Sequence, residues 1–142
     1  MSFDRLRSLM LIMGLCIAGG CGGEARPNTI PVSGKVVWNA QPLTKGTVAF
    51  VPTGTEQSFP ASGEIDSKGN YRLTTFKAGD GVMPGEYRIA VTVMEGADAA
   101  AKKEGTRILP EKYYRADKSG LTASIKPGDS AKTVDLTLDG KR

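Results

Sequence analysis

The chain has 142 residues, 19 Lys+Arg against 15 Asp+Glu, a formal net charge of +4 at pH 7, and no histidine. That length suits one compact domain behind a targeting segment. So small and scattered a charge excludes a nucleic-acid footprint, and the missing imidazole removes the usual general base and the commonest metal ligand.

Arg5 and Arg7 precede an apolar run from Leu9 to Ala18, and the small residues Gly19 and Gly20 follow. A basic n-region, an apolar h-region and a small-residue cleavage site are the order of a secretory signal. The run is too short to span a bilayer, which takes about 20 residues. Both cysteines of the chain, Cys16 and Cys21, lie in or just behind this segment. Removal of residues 1–20 would leave a mature chain with no partner for a disulfide. Gly22 to Asn28, GGEARPN, is small, polar and proline-containing, so residues 21–29 are expected to be a flexible tether.

The stretch Ile17-Ala18-Gly19-Gly20-Cys21 resembles a bacterial lipobox. The resemblance implies that Cys21 becomes the first mature residue and carries diacylglycerol and acyl chains of the palmitate type. The protein would then be exported and anchored by lipid in the cell membrane or outer membrane, with its domain in the periplasm or at the cell surface. Ala18 stands where an aliphatic residue is usual. Gly22 is not the aspartate that retains such proteins at the inner membrane.

From Ile30 to the C-terminus, short strands alternate with turn residues. Val32, Val36 and Trp38 share one face of PVSGKVVW, and Val48 and Phe50 share one face of GTVAFVP. Asn39 to Pro42 reads as the turn between them. GEIDSKGNYRLTT places Ile65 before a turn and Tyr71, Leu73 and Thr75 after it. Asp66 opens that turn and Gly69 takes a positive φ, so a plain hairpin is expected there; the alternating acids of a calcium loop are missing. Tyr87, Ile89, Val91 and Val93 alternate with Arg88, Ala90 and Thr92. Leu121, Ala123 and Ile125 form one further strand, and Val134, Leu136 and Leu138 the last. Strict alternation means one buried and one wet face, as in antiparallel sheets. Six or seven such strands in residues 30–142 predict an all-β, antiparallel β-sandwich.

EGADAAAKKEGTRILPEKYY breaks the pattern. Its helix formers lack an apolar stripe, so a long loop is expected, with one helical turn, ending at Pro110. Lys102-Lys103, with Glu104 beside it, reads as a solvated face. Tyr113 is expected to pack the loop onto the sheet, and Tyr114, its neighbour in an extended segment, to face out.

Several blocks resemble carboxypeptidase regulatory-like domains, which are transthyretin-like (prealbumin-like) sandwiches of seven strands. The matching positions are Val32, Gly34, Val36, Pro42, Leu43, Gly46, Val48 and Phe50, then Asp66, Gly69 and Tyr71, then Pro84, Gly85 and Tyr87. LPEKYYRADKSGLTASI, through Pro110, Tyr113, Ser119, Gly120 and Leu121, resembles a motif of short lipoproteins abundant in planctomycete bacteria. What the resemblance implies is a fold, not an activity: the matched residues are turn and core positions. The one enzyme family known to share the fold, a hydrolase of purine breakdown, uses histidines and a C-terminal Tyr-Arg-Gly-Ser, and this chain has neither.

The expectation is a non-catalytic, lipid-anchored envelope domain with a structural or protein-binding role. It needs no cofactor or metal, contacts the membrane through its anchor, and meets an envelope protein or a glycan rather than nucleic acid. The alternative is a carbohydrate-binding module using exposed aromatics. Trp38, Phe59, Tyr113 and Tyr114 are its candidates, with Tyr114 the candidate ligand contact. Met83 and Met94 are too few to favour a carrier of soft metals.

Overall fold

The computed structural model describes residues 27–54, 58–96, 100 and 104–141. The expected signal segment and Cys21 lie outside the described residues. The described residues form the expected β-sandwich. In chain order the strands are β1 (Val32–Trp38), β2 (Gln41–Pro42), β3 (Thr47–Pro52), β4 (Ala61–Glu64), β5 (Asn70–Arg72) and β6 (Gly85–Thr92). They continue as β7 (Met94–Glu95), β8 (Thr106–Arg107), β9 (Thr122–Ile125), β10 (Lys132–Thr133) and β11 (Leu136–Leu138). Seven of them have three or more residues, in line with the expected number.

One sheet has the order β4-β3-β6-β9, antiparallel throughout. The other is built around β1, which pairs antiparallel with β5 and β2. Its pairing with β10 and β11 is parallel, so the sandwich is not antiparallel at every pair. The backbone of β1 alternates between these partners. The carbonyls of Pro31 and Ser33 accept from Lys132 and Val134, whereas those of Val32 and Val36 accept from Leu73 and Leu43. First and last strands thus close the domain side by side.

The period-2 pattern sets the core. Val32, Val36, Val48, Phe50, Leu73, Tyr87, Ile89, Val91, Val93 and Leu138 are all buried in one cluster. Phe50 of one sheet lies 5.9 Å from the Tyr87 ring and 6.4 Å, centroid to centroid, from the Tyr71 ring of the other sheet. Burial, and secondarily the charge of Asp135, pushes the Tyr71 hydroxyl pKa up. That hydroxyl donates to the carbonyl of Val134 at 2.5 Å.

The hairpin expected at Asp66 is present, and two other local expectations are corrected. Its turn is tight, with Asp66 Oδ1 accepting from the N–H groups of Lys68 and Asn70 at 2.8 and 2.9 Å and Gly69 at φ +87°. Its arms are bonded across the turn, the Asp66 N–H to the Asn70 carbonyl at 2.9 Å and Ser62 and Thr74 to each other at 3.1 and 2.8 Å. Their outer edges belong to different sheets, β4 pairing with β3 and β5 with β1. The final strand is interrupted at Val134–Asp135, where the Asp135 carboxylate accepts from the Lys35 N–H at 2.9 Å. The segment expected as a long loop begins and ends as a two-stranded ribbon, β7 with β8. The helical turn expected before Pro110 lies mostly outside the described residues; after Pro110 the chain forms a 3-10 helix at Glu111–Tyr114.

Candidate functional site

Of the four aromatics singled out in the sequence, three are used by the fold. Trp38 is half-buried and its Nε1 donates to the Gly140 carbonyl at 3.1 Å. Tyr113 is buried as expected, its hydroxyl bonded to both the N–H and the carbonyl of Asp139. Tyr114 was expected to face out, but it is half-buried and packs on the core. Its hydroxyl donates to the Val93 carbonyl at 2.6 Å and accepts from the N–H groups of Ile108 and Leu109 at 2.9 and 3.1 Å. The Arg107 guanidinium lies 5.0 Å from its ring centroid. The expectation rested on an extended segment. In a 3-10 helix neighbouring side chains are about 120° apart, not opposed, so both tyrosines reach inward. Tyr114 thereby ties the base of the β7–β8 ribbon to the end of β6.

Phe59 is different: it is 46% exposed. Beside it lies Phe76, 37% exposed, which was not among the aromatics singled out above. The two rings meet edge to face, centroids 5.2 Å apart and planes at 69°. Such a pair supplements simple burial with favourable quadrupole contact.

Phe76 sits on a tightly bonded loop. Asp80 Oδ1 accepts from the Thr75 N–H at 2.8 Å, and Oδ2 accepts from Phe76 and Lys77 at 3.0 and 2.9 Å. Thr74 Oγ1 accepts from Gly79, and Thr75 Oγ1 donates to the Gly81 carbonyl. Burial pushes the Asp80 carboxyl up, but the N–H donors of Thr75, Lys77 and Phe76 together outweigh it and hold the group below its ordinary value. A carboxyl lowered in this way stabilises the fold fully above the unfolded value of about 3.9, and the contribution is lost as pH falls through the lower folded value. Asp80→Asn is therefore expected to cost about 1–2 kcal/mol at neutral pH. The gap to the parent protein should narrow at acid pH, as pH falls through the lowered folded value and the parent carboxyl is protonated too. Urea unfolding of both proteins at neutral and acid pH measures this; an equal gap at both would contradict it.

The strand registers place this pair at one end of the sandwich. The pairs Phe50↔Ala61, Ser33↔Arg72, Gly85↔Ile125 and Val32↔Lys132 bring together the β3–β4, β5–β6 and β9–β10 connections and the chain leading into β1. Ile30 is held there by Val82, its N–H donating to the Val82 carbonyl at 2.7 Å and its carbonyl accepting from the Val82 N–H at 3.0 Å. Lys77, Lys126 and Lys132 stand at the same end. Among the described residues the ion pairs are Lys45–Glu95 and Arg115–Asp117, so none of the three lysines is paired.

No group of three or more His, Cys, Asp or Glu residues among the described residues could hold a metal ion. No helix among them is long and apolar enough to cross a membrane. The surface grooves are shallow and mixed in lining; one of about 370 Å³ lies between Val51, Thr53, Arg88 and Asp117. No protein-family model matches this chain, and neither the curated proteins nor the solved structures contain a significant match.

Proposed function

We propose that the protein is an exported, non-catalytic domain held at the cell envelope by lipid on Cys21, with a structural or protein-binding role. The observation that carries this reading is the spacing of its parts. Cys21 follows a basic, then apolar, then Gly-Gly leader, and the sandwich core begins at Ile30, nine residues on. Several acyl chains on one N-terminus give a firm anchor, each buried methylene contributing about 0.8 kcal/mol. A chain without histidine supports a binding or structural role over general acid–base chemistry at neutral pH.

The domain itself is read as a carboxypeptidase regulatory-like module. In support, Val32, Val36, Val48, Phe50, Tyr71 and Tyr87 are all core residues. Gly34 and Gly69 occupy places that a side chain could not fill without strain. The carbohydrate-binding alternative retains one exposed aromatic of its four, Phe59, and its neighbour Phe76 brings an apolar edge rather than donors for sugar hydroxyls.

The test is Cys21→Ser in the full chain, expressed in a bacterium that processes lipoproteins. The parent protein is expected to incorporate labelled fatty acid during growth, and the variant none. An unlabelled parent, or equal label in the two, would overturn the anchor.

A further inference from the structure

We propose that the end of the sandwich carrying Phe59 and Phe76 seats on an anionic bilayer surface, the two rings entering the interface and Lys77, Lys126 and Lys132 supplying the positive charge. This rests on the lipid anchor at Cys21 and says which face of the domain meets the membrane.

Three observations converge. The first is the place where the anchored chain joins the domain. Residues 21–30 span at most about 3.6 Å each when extended, so the joining point stays within about 35 Å of the acyl chains. That point, Ile30, is bonded to Val82, directly after the Asp80–Gly81 end of the Phe76 loop. The attachment therefore keeps this end within reach of the bilayer.

The second is the aromatic pair. Among the described residues Val51, Phe59, Phe76 and Met94 are the exposed large hydrophobics, and the two phenylalanines are the two that touch each other. Phe76 is displayed, not loosely draped: the Asp80 carboxylate binds three consecutive N–H groups beneath it. An exposed apolar patch rimmed by polar residues marks an interaction surface.

The third is charge. Among the described residues Lys77, Lys126 and Lys132 have no ion-pair partner. The acids described at this end keep their charge but are held back on the fold, Asp80 on its loop, Asp129 Oδ2 on the Lys126 N–H at 3.1 Å and Glu86 on the Ser124 hydroxyl, whereas the long lysine side chains can reach a surface. Anionic headgroups attract such lysines within a Debye length.

The opposite end offers a contrast. There Trp38, the single tryptophan of the chain, is tied to the C-terminal segment through Gly140, together with Asn39. It serves as a built-in reference.

The experiment uses the full-length lipidated protein reconstituted in vesicles of phosphatidylcholine and phosphatidylglycerol with brominated chains. In a Phe76→Trp variant, checked for parental melting temperature, the added emission is expected to be blue-shifted and strongly quenched. The parent protein, reporting Trp38 alone, is expected to be unquenched. In the unlipidated Cys21→Ser chain, sedimentation with anionic vesicles is expected to weaken about tenfold for each of Phe59→Ala and Phe76→Ala, from loss of buried apolar area. It is expected to weaken about fivefold for Lys77→Gln. If intact mass shows the lipid present but the added tryptophan is quenched no more than Trp38, docking is overturned and the anchor stands. If the lipid is absent, the anchor reading fails, and the Cys21→Ser vesicle titration still decides the docking face. Binding to a glycan array that depends on Phe59 and Phe76, with no vesicle effect, would overturn docking in favour of a sugar site.

Discussion

Replacing Phe50 by alanine is expected to lower the stability of the domain by about 3–5 kcal/mol, the range for a buried phenylalanine. The side chain is fully buried at the middle of β3, and it packs against rings of both sheets. Its ring touches Tyr87 on the neighbouring strand of its own sheet and Tyr71 across the core. Truncation would remove its own buried area and leave a cavity between two tyrosines. These cannot close on it freely, because each hydroxyl is fixed: Tyr71 to the Val134 carbonyl, Tyr87 to the Met83 carbonyl at 2.8 Å. In a domain of this size such a loss corresponds to a fall in melting temperature of at least about 10 °C. Val51→Ala, one residue along on the exposed face, is the control and is expected to change stability by less than about 0.5 kcal/mol. Thermal unfolding of the two variants decides it; similar small effects in both would mean that the Phe50 site is loosely packed.

Gly34→Ala is the second large effect, and its cause is different. A Cβ at position 34 would stand 1.9 Å from the Val134 carbonyl oxygen and 3.0 Å from the Tyr71 ring. Neither neighbour can step aside cheaply. Val134 O is the acceptor for the buried Tyr71 hydroxyl, and the Val134 N–H donates to the Ser33 carbonyl at 2.9 Å. The added methyl must push the C-terminal segment off β1 or break the tyrosine bond. Overpacking against side chains costs about 1–3 kcal/mol, and here the obstacle is backbone, so a cost of about 3 kcal/mol or more is expected. Part of the loss should appear locally, as faster proteolysis or hydrogen exchange in β10 and β11 than in β3 and β6. Parental stability with a parental exchange pattern would contradict the close approach of Val134 to Gly34.

The same glycine shows how far the sequence could be read. The alternation in residues 86–93 and 47–51 was enough to identify β6, β3 and their buried faces, because a strand between two others offers its side chains only two directions. Gly69 and Asp66 announced a tight turn, and the turn is there. What the local pattern could not give was the destination of each strand. The Asp66 turn is the tip of a hairpin, but that its arms also join different sheets, β4 with β3 and β5 with β1, depends on distant residues such as Ser33 and Lys35. Val134, Leu136 and Leu138 kept one alternation although the strand breaks at Asp135, where a side-chain carboxylate replaces a backbone acceptor.

The candidate site was partly legible for the same kind of reason. Phe59 was one of four candidate aromatics and is the one left exposed. Phe76 was not among them, because its exposure comes from the bond pattern around Asp80, whose carboxylate gathers three N–H groups, and a residue count does not reveal that. Tyr114 misled because a tyrosine next to a buried tyrosine faces out only in extended chain, and Pro110 instead starts a 3-10 turn.

The central claim is that this sandwich is held at the envelope by lipid on Cys21. The intact mass of the protein extracted from membranes tests it most directly. Lipid on Cys21 predicts a chain beginning at Cys21 whose mass exceeds that of the polypeptide by a diacylglyceryl group and further acyl chain. A chain cut at another residue, or one beginning at Cys21 with the bare polypeptide mass, would contradict it.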